Sequence, residues 1–317
     1  MSIKVSVCIP VYGVEKYIEK CARSLYEQTM RDGIEFIFVN DCTKDRSIEI
    51  LEQVLAEYPH RKEQTRIIHH KKNRGLIAAR NTGLSYASGE YIIHCDSDDW
   101  VELDMYEKLY NTAKRNNSDI SYCSYILDDG ENMQKITTIA PCNNPDHLLH
   151  LILKNNLHWN LWAKLVKAEI AKSVDLYLPD HISFGEDLLR STQMISQATS
   201  VACCPEPLYH YFKANTGSYT KTFKRTSYDQ LAEVVCFLKN YLPEYCDLTV
   251  CQAEVLFKGV FYNLLTNQEF KKHSYNWRKK ILFDKNLSKI KKMILFCAFC
   301  NYPVTAFFCR ILRTIKG

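Results

Sequence analysis

At 317 residues, 46% hydrophobic and 24% charged, the chain is long enough for one large domain, or for a domain with a smaller appendage, and it has ample material for a core. Its fourteen cysteines are scattered singly, often inside apolar runs such as Val7-Cys8-Ile9, and Met1 leads almost directly into a strand signal with no secretory signal peptide, so reduced, mostly buried thiols in a cytosolic protein are expected. The net charge of +5 is uneven, because Lys271–Gly317 holds twelve Lys and Arg against one acid, Asp284, a balance of +11 that leaves −6 for residues 1–270.

In chain order, Val5–Val11 is a β-branched run, and Glu15–Gln28 has helical spacing through Ile18, Cys21, Ala22 and Leu25. Ile34–Val39 reads as a continuous apolar strand, Asp45–Ala56 as a helix, Arg66–His69 as a short strand, Leu76–Ala87 as a helix and Tyr91–Cys95 as a strand. Alternation of this kind predicts a parallel sheet with helices on its faces, and ligands gather at the carboxyl ends of such strands. Those ends carry Pro10-Val11-Tyr12, Asn40-Asp41 and Asp96-Ser97-Asp98-Asp99. A helix over Glu102–Asn116 and a strand over Asp119–Ile126 come next. A polar loop or short hairpin follows over Asp128–Asn144, then helices near Pro145–Lys154, Leu161–Ala171 and Glu186–Ala198, and a strand near Ser200–Cys204. Beyond Tyr219 only helices are expected, so the chain divides into residues 1–220 and a helical region, 221–317. Neither Gly-x-Gly-x-x-Gly nor Gly-Lys-Ser/Thr occurs, which argues against a dinucleotide dehydrogenase and a P-loop nucleotidase.

Three carboxylates within Asp96–Asp99 repel one another unless a cation or a ligand's donors compensate them. A hard divalent cation that takes one or two protein carboxylates and leaves its other positions to water and phosphate oxygens is the simplest compensation. An EF-hand is excluded, because its fifth and sixth positions would be Trp100 and Val101, where the sixth needs Gly. The competing structural explanation is an acidic turn that caps the following helix.

Several motifs, in order, resemble the family 2 glycosyltransferases over about residues 4–220. Val5-Ser6-Val7-Cys8-Ile9-Pro10-Val11-Tyr12 is similar to the family's opening strand and Glu35-Phe36-Ile37-Phe38-Val39-Asn40-Asp41 to its second. Asn73-Arg74-Gly75-Leu76 with Ala79-Arg80-Asn81-x-Gly83 resembles the third motif, Ser88-Gly89-Glu90-Tyr91-Ile92 leads into the Asp-rich turn, and Gly185-Glu186-Asp187 resembles the later acidic motif. Two departures stand out. The family's Asp-Asp-Gly-Ser-x-Asp reads Asn40-Asp41-Cys42-Thr43-Lys44-Asp45, so Asn40 is given no essential role. Near Tyr209-His210-Tyr211 a basic residue, often Arg, commonly follows in the family; Lys213 and Ser218 are expected to serve here.

The resemblance implies the A-type glycosyltransferase fold, a Rossmann-like nucleotide-binding α/β sheet here extended by C-terminal helices. It also implies inverting transfer of a hexose from a nucleotide diphosphate sugar, expected to be a UDP-sugar, in surface polysaccharide synthesis. Asp187 is then the catalytic base, Asp98 the ligand of Mn²⁺ or Mg²⁺ with Asp99 as a second or alternative ligand, and Asp96 a ribose contact. Donor binding would engage Pro10, Val11, Tyr12, Asp41, Arg74, Arg80, Asp96, Ser97 and Lys213; Trp162 and Glu186 would lie on the acceptor side. The structural alternatives are helix capping for Asp41, a place in a helix's first turn for Glu186 and Asp187, a surface salt bridge for Arg74 and Arg80, and core packing for Trp162; for His210, a core or surface place is expected over ligation of the metal. Expected partners are a nucleotide-sugar donor, a glycan or lipid-linked acceptor and a membrane surface, with no nucleic acid. A sugar-1-phosphate nucleotidyltransferase would need a Gly-rich loop where Val11-Tyr12-Gly13-Val14 stands, and an inactive scaffold is disfavoured by intact Asp98 and Asp187.

The basic tail is apolar from Met293 to Cys309 but broken by Asn301 and Pro303, too short for a span of about 20 apolar residues. Flanked by Lys291, Lys292, Arg310 and Arg313, it suits the anionic inner face of the cell membrane, or else packs its apolar side on the protein.

Overall fold

The computed structural model describes residues 2–136, 142–154, 158–173, 182–215 and 223–316, and the chain divides into two compact units, 1–148 with 159–218, and 149–158 with 219–317. The first unit opens with β1 (Val5–Val11), α1 (Ile18–Tyr26), β2 (Ile34–Asn40), α2 (Ser47–Glu57), β3 (Thr65–His69), α3 (Leu76–Tyr86) and β4 (Tyr91–His94). These four strands are parallel, in the spatial order β3-β2-β1-β4. Every residue of β1 is buried, which is why it reads as an unbroken apolar run: helices cover both of its faces. Helix α3 approaches closely because Gly83 has no side chain; a Cβ there would lie 3.0 Å from the Cβ of Cys8. The Ser88-Gly89 motif anchors the entry to β4. Glu35 Oε1 accepts from the Ser6 and Ser88 hydroxyls and the Ser88 amide, and the Gly89 amide donates to Ser6 Oγ at 2.8 Å.

The sheet then changes character. After β5 (Trp100–Val101) and α4 (Met105–Asn116), β6 (Ile120–Asp128) forms a hairpin with β7 (Met133–Ile136) within the expected polar segment, whose residues 137–141 lie outside the described range. Helix α5 (Pro145–Leu153) and β8 (Lys164–Lys167) follow, then α6 (Ala168–Ser173), α7 (Glu186–Gln197) and β9 (Val201–Phe212). The order continues β4-β8-β6-β9-β5, with β8 antiparallel to both β4 and β6, so the parallel arrangement expected for the first hundred residues holds for β1–β4 and the sheet becomes mixed beyond them. The single helix expected over Leu161–Ala171 is a turn, a strand and the start of a helix. Short apolar runs do not distinguish the two periods, and here the open edges of β4 and β6 capture Lys164–Lys167 as a strand. All fourteen cysteines are free and eight are buried.

The second unit contains helices only among its described residues: the end of α5, then α8 (Arg225–Tyr241), α9 (Thr249–Phe261), α10 (Asn267–Ser274), α11 (Arg278–Phe283), α12 (Lys289–Cys300) and α13 (Tyr302–Lys316). Thr266 and Glu269 form a reciprocal capping box at the start of α10. Buried Lys154 binds Asp247 and Asp284, which ties the 149–158 segment into this unit.

Candidate active site

At the end of β2, Asp41 is 3% exposed and does not cap the following helix. Its Oδ1 lies 2.7 Å from His70 Nδ1 and accepts from the Arg74 amide at 2.8 Å, while Oδ2 accepts from the Gly75 amide at 2.7 Å. Asp41 thereby fastens the 70–75 loop across the strand end. Asp45, just ahead of α2, accepts from the amide and hydroxyl of Ser47 through Oδ1 and holds the Glu15 amide through Oδ2. Between them Cys42, in the position of the family's Gly, has φ +59°, a left-handed conformation that suits Gly far better than a residue with a Cβ. At the end of β1, Pro10 and Val11 are buried and Tyr12 is 52% exposed, so only Tyr12 offers a side chain to a ligand.

The four residues after Cys95 have unequal settings. Asp99 is 1% exposed, with Oδ2 accepting from the Tyr209 hydroxyl at 2.7 Å and Oδ1 from the Phe212 amide at 2.8 Å, so β9 holds both of its oxygens. Asp98 accepts from Asn215 Nδ2 at 2.7 Å, and Asp96 accepts from Arg80 at 2.8 Å. Ser97 is 5% exposed. Burial, followed by the charge of Asp96, pushes the Asp98 carboxyl up; burial and the charges of Asp98 and Asp96 push Asp99 well up. Among the described residues no group of three or more His, Cys, Asp or Glu could hold a metal unaided. A carboxylate raised by burial and by the charge of Asp96, as Asp98 is, has the chemistry to take a cation whose remaining ligands are water and diphosphate oxygens.

Arg80 joins this turn to the start of α7. Its guanidinium donates to Asp96 Oδ1 at 2.8 Å and, through Nη1, to Glu186 Oε2 and Asp187 Oδ1, each at 2.6 Å, with only 2% of its side chain exposed. The expected contact of Arg80 with base or phosphate therefore gives way to a buried hub between three acids. Glu186, expected on the acceptor side, is also only 2% exposed: burial pushes its carboxyl up against the pull of Arg80 and Arg190, and it cannot face an acceptor. Asp187 keeps 28% of its side chain exposed. The chain enters α7 through Gly185 at φ +87°, which sets both acids in the first turn. Sequence reasoning missed two members. Arg190 lies 3.4 Å from Glu186 and donates to Asn81 Oδ1 at 2.5 Å, a pairing whose one sequence signal is the i,i+4 spacing from Glu186. Lys164, 3% exposed, donates to the carbonyl and side chain of Asn160, and burial lowers its pKa to about 7.

Trp162 is 3% exposed and stacks on Tyr209 at 4.2 Å between ring centroids, with Tyr211 at 5.5 Å. It packs the core behind β9, and the expected sugar platform is not there. His210 Nε2 lies 2.8 Å from Glu102 and its ring stacks on Trp100, away from any ligand role. Arg74 and Lys213 are exposed and form no ion pair with a described residue, and Ser218 lies outside the described residues.

A model of glycosyl transferase family 2 matches residues 6–168. The uncharacterized glycosyltransferase EpsJ of Bacillus subtilis is 33% identical over 233 residues, which cover 71% of this chain and 65% of EpsJ. The poly(ribitol-phosphate) beta-glucosyltransferase of Bacillus spizizenii is 31% identical over 220 residues, 68% of this chain and 33% of that protein. The chain thus spans less than two thirds of the length of these two relatives. Among solved structures, Staphylococcus aureus TarS 1–349 in complex with UDP-GlcNAc superposes with a TM-score of 0.69 at 17% identity, covering 88% of this chain and 82% of that one. The mannosyltransferase PcManGT of Pyrobaculum calidifontis, in complex with GDP-Man and Mn²⁺, gives 0.55 at 16% identity, with 98% and 84% covered. These structures speak to the fold, and the family model to descent: the mixed sheet with its acidic strand ends is an A-type glycosyltransferase fold, and the chain belongs to glycosyl transferase family 2.

Proposed function

We propose that this chain is an inverting hexosyltransferase that moves a sugar from a nucleotide diphosphate sugar, a UDP-sugar in the first instance, to a hydroxyl of a glycan or lipid-linked acceptor in cell-surface polymer synthesis on the inner membrane face. TarS binds UDP-GlcNAc and a relative acts on poly(ribitol phosphate), which supports the donor class and the kind of polymer. The observation that carries the reading is the single guanidinium of Arg80 holding Asp96, on the donor-side turn, and Asp187, at the partly open start of α7, at 2.8 and 2.6 Å.

In this reading Tyr12 packs against the nucleotide base, Asp41 shapes the loop that receives it, Ser97 lies along the donor and Asp96 contacts the ribose. Exposed Arg74 and Lys213 are free to neutralise phosphate. Asp98, with Asp99 behind it, would hold Mn²⁺ or Mg²⁺, which when bound would stabilise charge on the departing nucleotide. Asp187 accepts the proton of the attacking acceptor hydroxyl, and one displacement from the face opposite the leaving group inverts the anomeric carbon.

The test incubates the full chain with a panel of UDP- and GDP-sugars, Mn²⁺ or Mg²⁺, and ribitol-phosphate and glycan acceptors. Free nucleotide diphosphate is measured, and the product's anomeric configuration is read by NMR. Release of nucleotide diphosphate with inverted product is expected; retention, or no release from any donor, would overturn the proposal.

A further inference from the structure

Helices α12 and α13 are apolar on both sides. Their inner residues, Leu295 and Ala298 on α12 and Tyr302, Ala306 and Cys309 on α13, are buried, and the Tyr302 hydroxyl donates to the Leu265 carbonyl at 2.6 Å. That packing already satisfies the need of each helix for a core-facing stripe. Yet Ile290, Met293 and Phe296 on α12 are 67%, 60% and 53% exposed. On α13, Val304, Phe307, Phe308 and Ile311 recur at i, i+3, i+4 and i+7 with 49%, 60%, 59% and 40% exposed, and Leu312 adds 47%. Single exposed apolar residues are ordinary, but a second apolar stripe at helical spacing is a docking face.

Charge identifies the occupant. From Lys289 to Lys316 the sequence holds six bases and no acid, and Lys291 alone of these is ion-paired in the described contacts, with Glu254 of α9; two copies meeting through this face would bring the other like charges together, whereas anionic headgroups would be attracted to them. Depth is bounded as well. No helix among the described residues is long and apolar enough to cross a membrane, and the 15 residues of α13 reach only about 22 Å against a hydrocarbon core of about 30 Å. We propose that α12 and α13 form a monotopic membrane-binding face, which lays its phenylalanines at the headgroup and acyl boundary of an anionic bilayer. This goes beyond the transfer reaction and does not rest on it.

The full chain is sedimented with vesicles of phosphatidylcholine alone or with about a third phosphatidylglycerol, at low and high salt. Binding to the anionic vesicles at low salt, weakened by salt and by neutral lipid, is expected. Phe307→Glu combined with Phe308→Glu, at positions already mostly in water, should cut partitioning by at least about tenfold while leaving the circular dichroism and melting temperature unchanged. Wild type remaining in the supernatant with anionic vesicles at low salt, or the double variant binding as well as wild type, would overturn the proposal. So would equal binding to neutral vesicles, or a wild-type dimer that the double variant converts to monomer without any vesicle binding.

Discussion

The turn after β4 and the first turn of α7 each set a buried acid beside a more open one, Asp99 beside Asp98 and Glu186 beside Asp187, but they hold the buried member differently. Asp99 is held by neutral donors, the Tyr209 hydroxyl and the Phe212 amide, whereas Glu186 faces the guanidinium groups of Arg80 and Arg190. Arg80 offsets Asp96, but only neutral donors meet Asp99 and Asp98, so these two carboxylates keep an attraction for a cation. The α7 site carries its own counter-charge and has no such need. The difference suggests one acidic site for a metal-bound diphosphate and another for a proton.

The strongest way to break this comparison is to remove the link between the two sites. Arg80→Leu would leave Glu186 buried without its main partner and Asp96 and Asp187 unpaired, with an expected loss of about 3–5 kcal/mol in denaturant unfolding and no measurable transfer. Next come the open acids. Asp187→Asn should lower the rate of transfer by about 10²–10⁴-fold with nucleotide diphosphate affinity unchanged by calorimetry. Asp98→Ala should cost about 10²-fold or more and remove the metal dependence of that affinity. If instead Asp187→Asn weakened donor binding and Asp98→Ala did not, the two roles would be reversed.

The buried lysine beside the α7 site sharpens the comparison through pH. Lys164 has a folded pKa of about 7 because burial opposes its charge, well below the unfolded value of about 10.4. Between those values the unfolded chain binds more protons than the folded one, so stability should rise with pH from about 7 towards 10. Below about 7 the lysine is charged in both states and its burial cost is fully felt. Unfolding curves at pH 7, 8 and 9 should show this rise, and Lys164→Met should flatten it; an unchanged slope would exclude Lys164 as its source. The smallest effect belongs to the donor-side loop. Cys42→Gly, at φ +59°, should raise stability by about 1 kcal/mol, and no gain would mean the left-handed strain is relieved locally.

Much of the site is legible in the sequence. Polar residues closing apolar runs marked the ends of β1, β2 and β4, because a parallel strand buried on both faces must change composition where it meets solvent. Ordered motifs carried the family, and with it the A-type fold. The partition of function within each acidic pair was not legible. Glu186 and Asp187 are adjacent in sequence and alike in chemistry, and only the arrival of Arg80, 106 residues earlier in the chain, makes one a buried counter-ion and leaves the other partly open. Trp162 reads equally well as a sugar platform or as core until Tyr209 is found stacked on it.

The sequence by itself determined the four parallel strands, the helices between them, the acidic strand ends and the basic helical tail. Each of these is written in local periodicity or composition, which a segment carries wherever it is placed. Tertiary structure alone decided that Lys164–Lys167 is a strand, that 149–158 joins the helical unit, that Arg80 is a buried hub and that α12 and α13 keep a second apolar face in water. Those outcomes depend on which edges, charges and faces remain unsatisfied once distant elements have packed, and no local pattern records that.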